Sequence, residues 1–499
     1  MNVKVNKFIS IAFLLFALYL LAVRFILIFS YSVNLEGEEF AFVHFVQKLD
    51  IQKTLYLDPF SYPFTLCVYN PLYSYLILLL AKIATINVHE DTYALFVLAR
   101  VVSFLFVFLQ LYFMSKIFTF FTISKQLQII AICLYLLLIT GHFYVMRPDA
   151  LITASFTIIV YSSLSYFFAK KERKYLYINF ILTAIIVLLK QDAVIHLVIL
   201  SLLIFLVKRD KNSFIVGCLT ALIIILIYAL LYSAYGSDFI KNTILFNFQI
   251  TKNVKASYNF SVVIFSLQRL SLIVLASVVY WFRYNHSDKK NAIHLLFFAG
   301  LAELLVSHFF MLRPASNLNY VFVTVLYFLI ITMIYLQTIF SLHFLVKVAA
   351  FLYILFLMTS DVILKYYVFS MSEIKHDKAI YSDMKKNKKE LLSYLKGRSF
   401  FMPDPKNCIY FSKANMVYGY DFHIDRYLNL ISTIQSETGT PLVNTAVYDS
   451  CFDNGKVQFI LFEQSESNDY MQRYYPNFRL VDSINIYKIY EYTTDKNPN

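Results

Sequence analysis

Charge and glycine are both scarce in this sequence. Asp, Glu, Lys and Arg make up 15% of its 499 residues, against about 25% in soluble domains, which excludes an ordinary water-soluble chain. It has only nine glycines and no evident internal repeat. Both count against a transporter or flippase, whose sites are built from broken helices in repeated halves. Five cysteines (Cys67, Cys133, Cys218, Cys408 and Cys451) form no CxxC and no Cys/His spacing that would bind zinc. Cys408 and Cys451 alone share a polar segment, so they are the one pair placed to form a disulfide. Nucleic acid is excluded as a partner despite a net charge of +13, because no basic domain carries base-stacking aromatics.

What is abundant is apolar. Hydrophobic residues make up 59% of the chain and the mean hydropathy is +0.62. They fall in blocks of roughly 20, the length that crosses about 30 Å of hydrocarbon. Spans are expected near 8–30, 94–115, 127–145, 149–169, 176–189, 193–207, 213–235, 259–282, 291–310, 320–339 and 344–364. The first is too long, and lacks the small-residue cleavage site, for a signal peptide. Lys4 and Lys7 place the N-terminus in the cytoplasm. Basic loops then recur on that side: Lys116 and Lys125; Lys170, Lys171, Arg173 and Lys174; Lys208, Arg209 and Lys211; Arg283, Lys289 and Lys290. This alternation requires 72–86 to be a re-entrant or interfacial helix, beginning at Pro71. The 40 Tyr and 50 Phe suit interfacial belts.

The expected fold is therefore an α-helical polytopic membrane protein of about eleven spans. Residues 1–365 would form the transmembrane part, with the first extracytoplasmic loop and interfacial helix at 31–93. A charged connector follows at 366–396, and 397–499 reads as a small extracytoplasmic α/β domain, with alternating runs such as VQFILF and INIYKIYEY.

Once the loops are sorted, the unusual polar residues gather on one side. The first loop holds Glu36, Glu38 and Glu39. Arg147, Pro148 and Asp149 form one short turn, and Lys190, Gln191 and Asp192 another. A third holds Arg313, Pro314, Asn317, Asn319 and Tyr320. Ionisable groups at span ends are costly enough to need a reason, although each turn alone also reads as a plain polar connection.

The chemistry they could share is group transfer from a lipid-linked phosphate. A polyprenyl-phosphate sugar keeps its tail in the bilayer and presents its anomeric carbon at the interface. Transfer needs a carboxylate to take the acceptor proton and cations to hold the departing phosphate. Glu36, Glu38 and Glu39 are candidates for the base, the latter two reading equally as solubilising loop charges. Arg147, Lys190 and Arg313 are candidate phosphate ligands. Gln191, Asp192, Asn317, Asn319 and Tyr320 are candidate substrate contacts. Asp149 would orient the base, position the acceptor, or share a divalent cation with Glu36 through hard oxygen ligands. The pattern requires no cofactor and leaves that cation open.

At EGEEFAF, LYLDPFSYPFTLCVYNPLY, RPDAL, KQDA and SNLNY the chain resembles bacterial integral-membrane glycosyltransferases of the GT-C class. It looks most like the branch of protein O-mannosyltransferases and lipid A aminoarabinose transferases. The resemblance covers about 31–330. It implies a polyprenyl-phosphate sugar donor, an acceptor outside the cytoplasm and inversion at the anomeric centre. It also implies a first-loop catalytic acid mapping to Glu36 and a second acidic position at Asp149. Relatives show an adjacent Asp-Glu pair where this chain has Glu-Gly-Glu-Glu, so Glu36, Glu38 and Glu39 all stay open. The setting implied is the bacterial cytoplasmic membrane, with the site and C-terminal domain on the outer face. The rival readings are a lipid-glycan transporter, a glycan polymerase and a catalytically silent GT-C relative.

Several further residues invite two readings. Glu303 and His308, in or near span 291–310, either face an aqueous cavity or pair helix to helix. His196 is a ligand or a satisfied interfacial histidine. Arg24 snorkels or pairs within the bundle. Asp361 and Lys365 suit a local ion pair at a span end.

Overall fold

The computed structural model describes residues 3–32, 39–58, 67–138, 145–169, 172–245, 260–283, 289–312, 318–339, 362–402, 408–413, 416–417, 450–463, 475–484 and 487–493. The chain is mostly helical. In order the helices are α1 (Val3–Ile28), α2 (Glu39–Gln52), α3 (Leu72–Ile83), α4 (Thr92–Phe120), α5 (Lys125–Leu138) and α6 (Asp149–Phe168). They continue as α7 (Lys174–Leu189), α8 (Val194–Lys208), α9 (Lys211–Ile240), α10 (Phe260–Arg283), α11 (Lys290–Met311), α12 (Phe322–Ile339) and α13 (Val362–Leu395).

Among the described residues, seven helical segments are long and apolar enough to cross a membrane: Ile11–Ile28, Thr92–Phe120, Asp149–Phe168, Gln191–Lys208, Lys211–Leu245, Phe260–Phe282 and Lys290–Met311. Leu72–Ile83, Lys125–Leu138, Lys174–Leu189 and Phe322–Thr338 are apolar but shorter. The chain is a multi-pass membrane protein, and ten of the eleven expected spans coincide with a helix. The eleventh, 344–364, falls almost wholly outside the described residues, as does Asp361. The expected interfacial stretch 72–86 is the 12-residue α3, which at 1.5 Å per residue reaches only about 18 Å.

The chain divides into two compact units. The first comprises 1–29, 99–230 and 255–371. Its centre is α6, apolar all round and buried on nearly every face, as a helix enclosed by other helices should be. Helix α7 lies along α6, α1 along α5, and α12 against α5, α10 and α11. Close approach of α11 to α12 depends on Gly300, where a Cβ would meet the Phe328 ring at 3.1 Å.

Three buried arginines donate to backbone carbonyls within this unit. Arg24 donates from Nη2 to the Leu136 carbonyl at 2.6 Å and from Nη1 to Leu20 at 3.2 Å. Arg269 donates to the Leu137 carbonyl at 2.5 Å, and Arg100 reaches the Ile28 carbonyl at the end of α1. The Arg100 guanidinium therefore sits at the negative end of the α1 dipole. Arg24 pairs within the bundle rather than snorkelling.

The second unit comprises 30–98, 231–254 and 372–499. Helix α2 packs on α3 around Phe42, which meets Tyr69 and Tyr73 at ring distances of 4.8 and 5.3 Å. Asn242 ties down the first loop: its Oδ1 accepts from the Cys67 amide at 2.8 Å and its Nδ2 donates to the Leu57 carbonyl at 2.8 Å. Within α9, Gly236 takes φ 66° and ψ −154°, backbone angles open essentially to glycine alone, and the helix kinks there.

The C-terminal part carries a five-stranded mixed sheet of β1 (Phe400–Phe401), β2 (Met416–Val417), β3 (Phe459–Glu463), β4 (Phe478–Ile484) and β5 (Tyr487–Tyr492), in the order β2-β1-β3-β5-β4. The β1 pairings are parallel, while β5 pairs antiparallel with β3 and β4. Helix α13 runs through the stretch expected as a charged connector. The disulfide that Cys408 and Cys451 could form is absent, both being buried free thiols. Cys408 Sγ turns instead to the Met402 carbonyl, 3.6 Å away.

Candidate active site

Three of the polar stretches noted in the sequence meet within the first unit. Pro148, at φ −70°, leads into α6 and puts Asp149 in its first turn, where the helix dipole favours a carboxylate. The turn before it is anchored by Ser103, whose hydroxyl donates to the Val145 carbonyl at 2.8 Å. Arg147 then folds back, and its Nε donates to Asp149 Oδ2 at 2.9 Å. Helix α7 ends as Lys190 becomes extended, which sends Lys190 Nζ to 3.5 Å from Asp149 Oδ1. Arg147, Asp149 and Lys190 are all buried.

The third stretch closes this cluster. Leu318–Val321 is a single 3₁₀ turn that holds Tyr320, whose carbonyl accepts from the Ser307 hydroxyl at 2.8 Å. The Tyr320 hydroxyl donates to Asp192 Oδ2 at 3.1 Å, and Lys190 Nζ stands 5.1 Å from the centre of its ring. Lys190 thus has a carboxylate on one side and an aromatic face on another, a geometry that holds a cation without neutralising it fully. Gln191 and Asp192 occupy the 3₁₀ turn Gln191–Ala193, both half-buried. Asn319 belongs to the Tyr320 turn. Arg313 and Asn317 lie outside the described residues.

One turn into α8, His196 Nδ1 lies 2.5 Å from Glu303 Oε2 on α11, both residues being buried. Phe156 and Phe322 stand edge-on to the imidazole at 6.0 and 5.6 Å. Of the two readings open for Glu303, the helix-to-helix pair is the one adopted. His196 is a satisfied buried partner of that acid. His308 makes a local bond to the Leu304 carbonyl at 2.6 Å.

The first-loop acids belong to the second unit. Glu36 and Glu38 lie outside the described residues. Glu39, which the sequence allowed as a solubilising loop charge, is instead fully buried in the first turn of α2. At the other end of α2, Asp50 accepts from Lys82 at 3.2 Å and faces His89 Nε2 at 3.3 Å. Burial raises the Asp50 carboxyl, but hydrogen bonds from Lys82 and His89 and the charges of Lys82 and Lys53 outweigh it and hold the group below its ordinary value. His89 Nδ1 meets the Ser412 hydroxyl at 2.8 Å. Burial, reinforced by Lys413, overrides the Asp50 and Glu90 charges and lowers the His89 pKa. Gln47 Nε2 donates to both the Val88 and Ile409 carbonyls at 2.9 Å. Residues 409–412 are thereby docked on the helix that follows the acidic loop, a contact with no local signal in the sequence.

Among the described residues no group of three or more His, Cys, Asp and Glu side chains is arranged to hold a metal. Both Asp149 oxygens face cations, a poor setting for the divalent ion that Asp149 and Glu36 were considered to share.

No protein-family model and no curated protein sequence matches the chain. Solved structures similar in fold include two of one protein. One is ArnT from Cupriavidus metallidurans bound to undecaprenyl phosphate, with a TM-score of 0.56 and 11% identity over 97% of this chain and 99% of that one. The other is the same protein in the apo state, with a TM-score of 0.54 and 12% identity over 95% and 97% of the two chains. The likeness is one of fold, and it extends along nearly the whole length. The resemblance to the GT-C class holds at that level.

Proposed function

We propose that the protein is a membrane glycosyltransferase that moves a sugar from a polyprenyl-phosphate carrier to an acceptor hydroxyl. The observation that carries this reading is the fold shared end to end with a structure that binds undecaprenyl phosphate. The buried cluster of Arg147, Asp149, Lys190 and Tyr320 supports it, because a departing phosphate needs fixed cations in a dry setting.

In the proposed reaction a first-loop carboxylate, Glu36 or Glu38, takes the proton of the acceptor hydroxyl. The acceptor oxygen forms a bond to the anomeric carbon as the bond from that carbon to the phosphate oxygen breaks. The polyprenyl phosphate leaves with the electron pair, and attack from the opposite side inverts the centre. Arg147, Lys190 and Arg313 hold the phosphate, with Arg suited to two-pronged contact and Lys to a point charge. Asp149 fixes the two cations Arg147 and Lys190 in place. Gln191, Asp192, Asn317, Asn319 and Tyr320 would contact the sugar or acceptor. The reaction is placed at the outer face of a bacterial cytoplasmic membrane.

The test is consumption of a panel of polyprenyl-phosphate sugars by the purified protein in lipid, with a membrane extract supplying acceptors. The wild type is expected to release free polyprenyl phosphate. Glu36→Gln should lower that rate by about 10²–10⁴-fold, the usual contribution of a general base. Full turnover by this variant moves the role to Glu38. A wild type that consumes no donor in the panel overturns the reading.

A further inference from the structure

Away from that cluster, a second polar site lies among α6, α7, α8 and α9. A cavity there is lined by Ser163, Asn179, Thr183, Ser201, Gly217 and Thr220, with leucine, isoleucine and phenylalanine side chains between them. Its volume is about 20 Å³, room for one water or one hydroxyl and far too little for a sugar. Asn179 is only 7% exposed. Its Nδ2 donates to the Ser163 hydroxyl at 3.0 Å, while its buried Oδ1 has no hydrogen-bond partner. An unpaired acceptor inside an apolar bundle is expensive, and this one borders a space sized for a single donor.

The depth and rim of the cavity narrow the choice of donor. Asn179 is five residues into α7, about 7 Å from its start, the depth of a headgroup-to-acyl boundary. Where α8 ends and α9 begins, Arg209 and Lys211 are exposed, and Lys208 Nζ lies 4.4 Å from the centre of the Phe168 ring. A Cβ at Gly217 would meet no atom within 4 Å, so α9 leaves the cavity open there. This α8–α9 turn, which also carries the carboxylate of Asp210, lies between the cavity-lining Ile204 and Ser213. Its net positive charge attracts a lipid phosphate, and the acceptor within the cavity calls for a hydroxyl from the same molecule.

We propose that this cavity is a binding site for an anionic phospholipid whose headgroup ends in a hydroxyl, phosphatidylglycerol being the commonest of that chemistry. The terminal hydroxyl donates to Asn179 Oδ1, and the phosphate rests among Lys208, Arg209 and Lys211. This inference concerns a lipid that is bound, not one that reacts, and it does not depend on the proposed transfer reaction.

The test is native mass spectrometry of the full chain, delipidated and then offered phosphatidylglycerol or phosphatidylmethanol in competition. These lipids carry the same charge, but the second has no hydroxyl to donate. The wild type is expected to retain phosphatidylglycerol about fivefold over phosphatidylmethanol, the worth of one neutral hydrogen bond. Asn179→Leu should bring the ratio to one. Gly217→Leu, which fills the cavity from α9, should do the same and guards against misfolding of the first variant. Equal retention of both lipids by the wild type would mean that the cavity holds only water, and the proposal falls. It falls equally if both variants keep the wild-type preference.

Discussion

Lys190 is held between the Asp149 carboxylate and the Tyr320 ring, and the Tyr320 hydroxyl in turn reaches Asp192. Ring and hydroxyl have separate jobs, which one substitution can divide. Tyr320→Phe keeps the aromatic face under Lys190 and removes the bond to Asp192. It should cost about 1 kcal/mol of stability, read as a small drop in melting temperature in detergent. Turnover should fall less than in Tyr320→Ala, which removes the face as well. Equal losses of turnover in the two variants would place the hydroxyl, not the ring, at the centre of the cluster's role.

The His196–Glu303 pair makes an asymmetric prediction. Removing the imidazole leaves a carboxylate fully buried among apolar helices, and breaking a buried pair this way costs about 3–5 kcal/mol. Glu303→Gln keeps a polar partner for His196 Nδ1 and should cost about 1 kcal/mol. Thermal unfolding in one detergent should therefore rank His196→Ala well below Glu303→Gln. The reverse order would show that Glu303 is buried without charge. Glu303 stood out in the sequence as an ionisable group in an apolar span, and His196 as a ligand or a satisfied interfacial histidine. That they face each other was not legible, because a separation of 107 positions is closed only by packing of α8 on α11.

At the scale of elements, α2 and the segment 409–412 are held together by groups whose protonation matters. His89 has its pKa lowered from 6.5 chiefly by burial, and His44 on α2 is lowered well below 6.5 by burial and by Lys48. A histidine whose folded pKa is depressed binds its proton more readily once the structure opens. Its stabilising contribution is whole above about 6.5 and is lost as pH falls below that value. Asp50, lowered from 3.8, adds a second loss that begins only below its unfolded value. Amide exchange across 409–412 should therefore quicken relative to the intrinsic rate between pH 7.5 and pH 5.5, and His89→Gln should flatten the change. A profile unchanged by the substitution would assign the effect to His44.

Elements were far more legible than their connections. Blocks of about twenty apolar residues mark helices because the bilayer fixes their length, and the RPD and KQD turns stand out because charge there is costly. Asp149, Lys190 and Tyr320 could be nominated on those grounds, whereas their convergence depends on how α6, α7 and the 318–321 turn pack. Glu39 misled for a related reason. Its neighbours are acidic, which reads as a solvated loop, yet the residue belongs to α2 and is buried with its apolar face. The buried arginines at 24, 100 and 269 follow the same rule. Each charge is visible in the sequence, but the carbonyl it meets belongs to another helix.

At the scale of the whole molecule, the question is how α5 and α7 cross a membrane. Helix α7, at 16 residues, reaches only about 24 Å, short of about 30 Å of hydrocarbon. The described part of α5 is buried along most of its length, and Arg24 and Arg269 take two of its carbonyls. The basic loops that recur between α4 and α9 require α5 and α7 each to count as a crossing. Five helices, α4 to α8, then separate Glu90 from Lys211, and an odd number of crossings puts the two residues on opposite sides. In a background with Cys218 replaced by serine, the other cysteines being buried, Glu90→Cys should react with an impermeant maleimide added outside intact cells. Lys211→Cys, in a basic loop assigned to the cytoplasm, should react only after lysis. If both positions label from outside, one of α5 and α7 does not cross, and every loop between the two positions changes its assigned side from that helix onward.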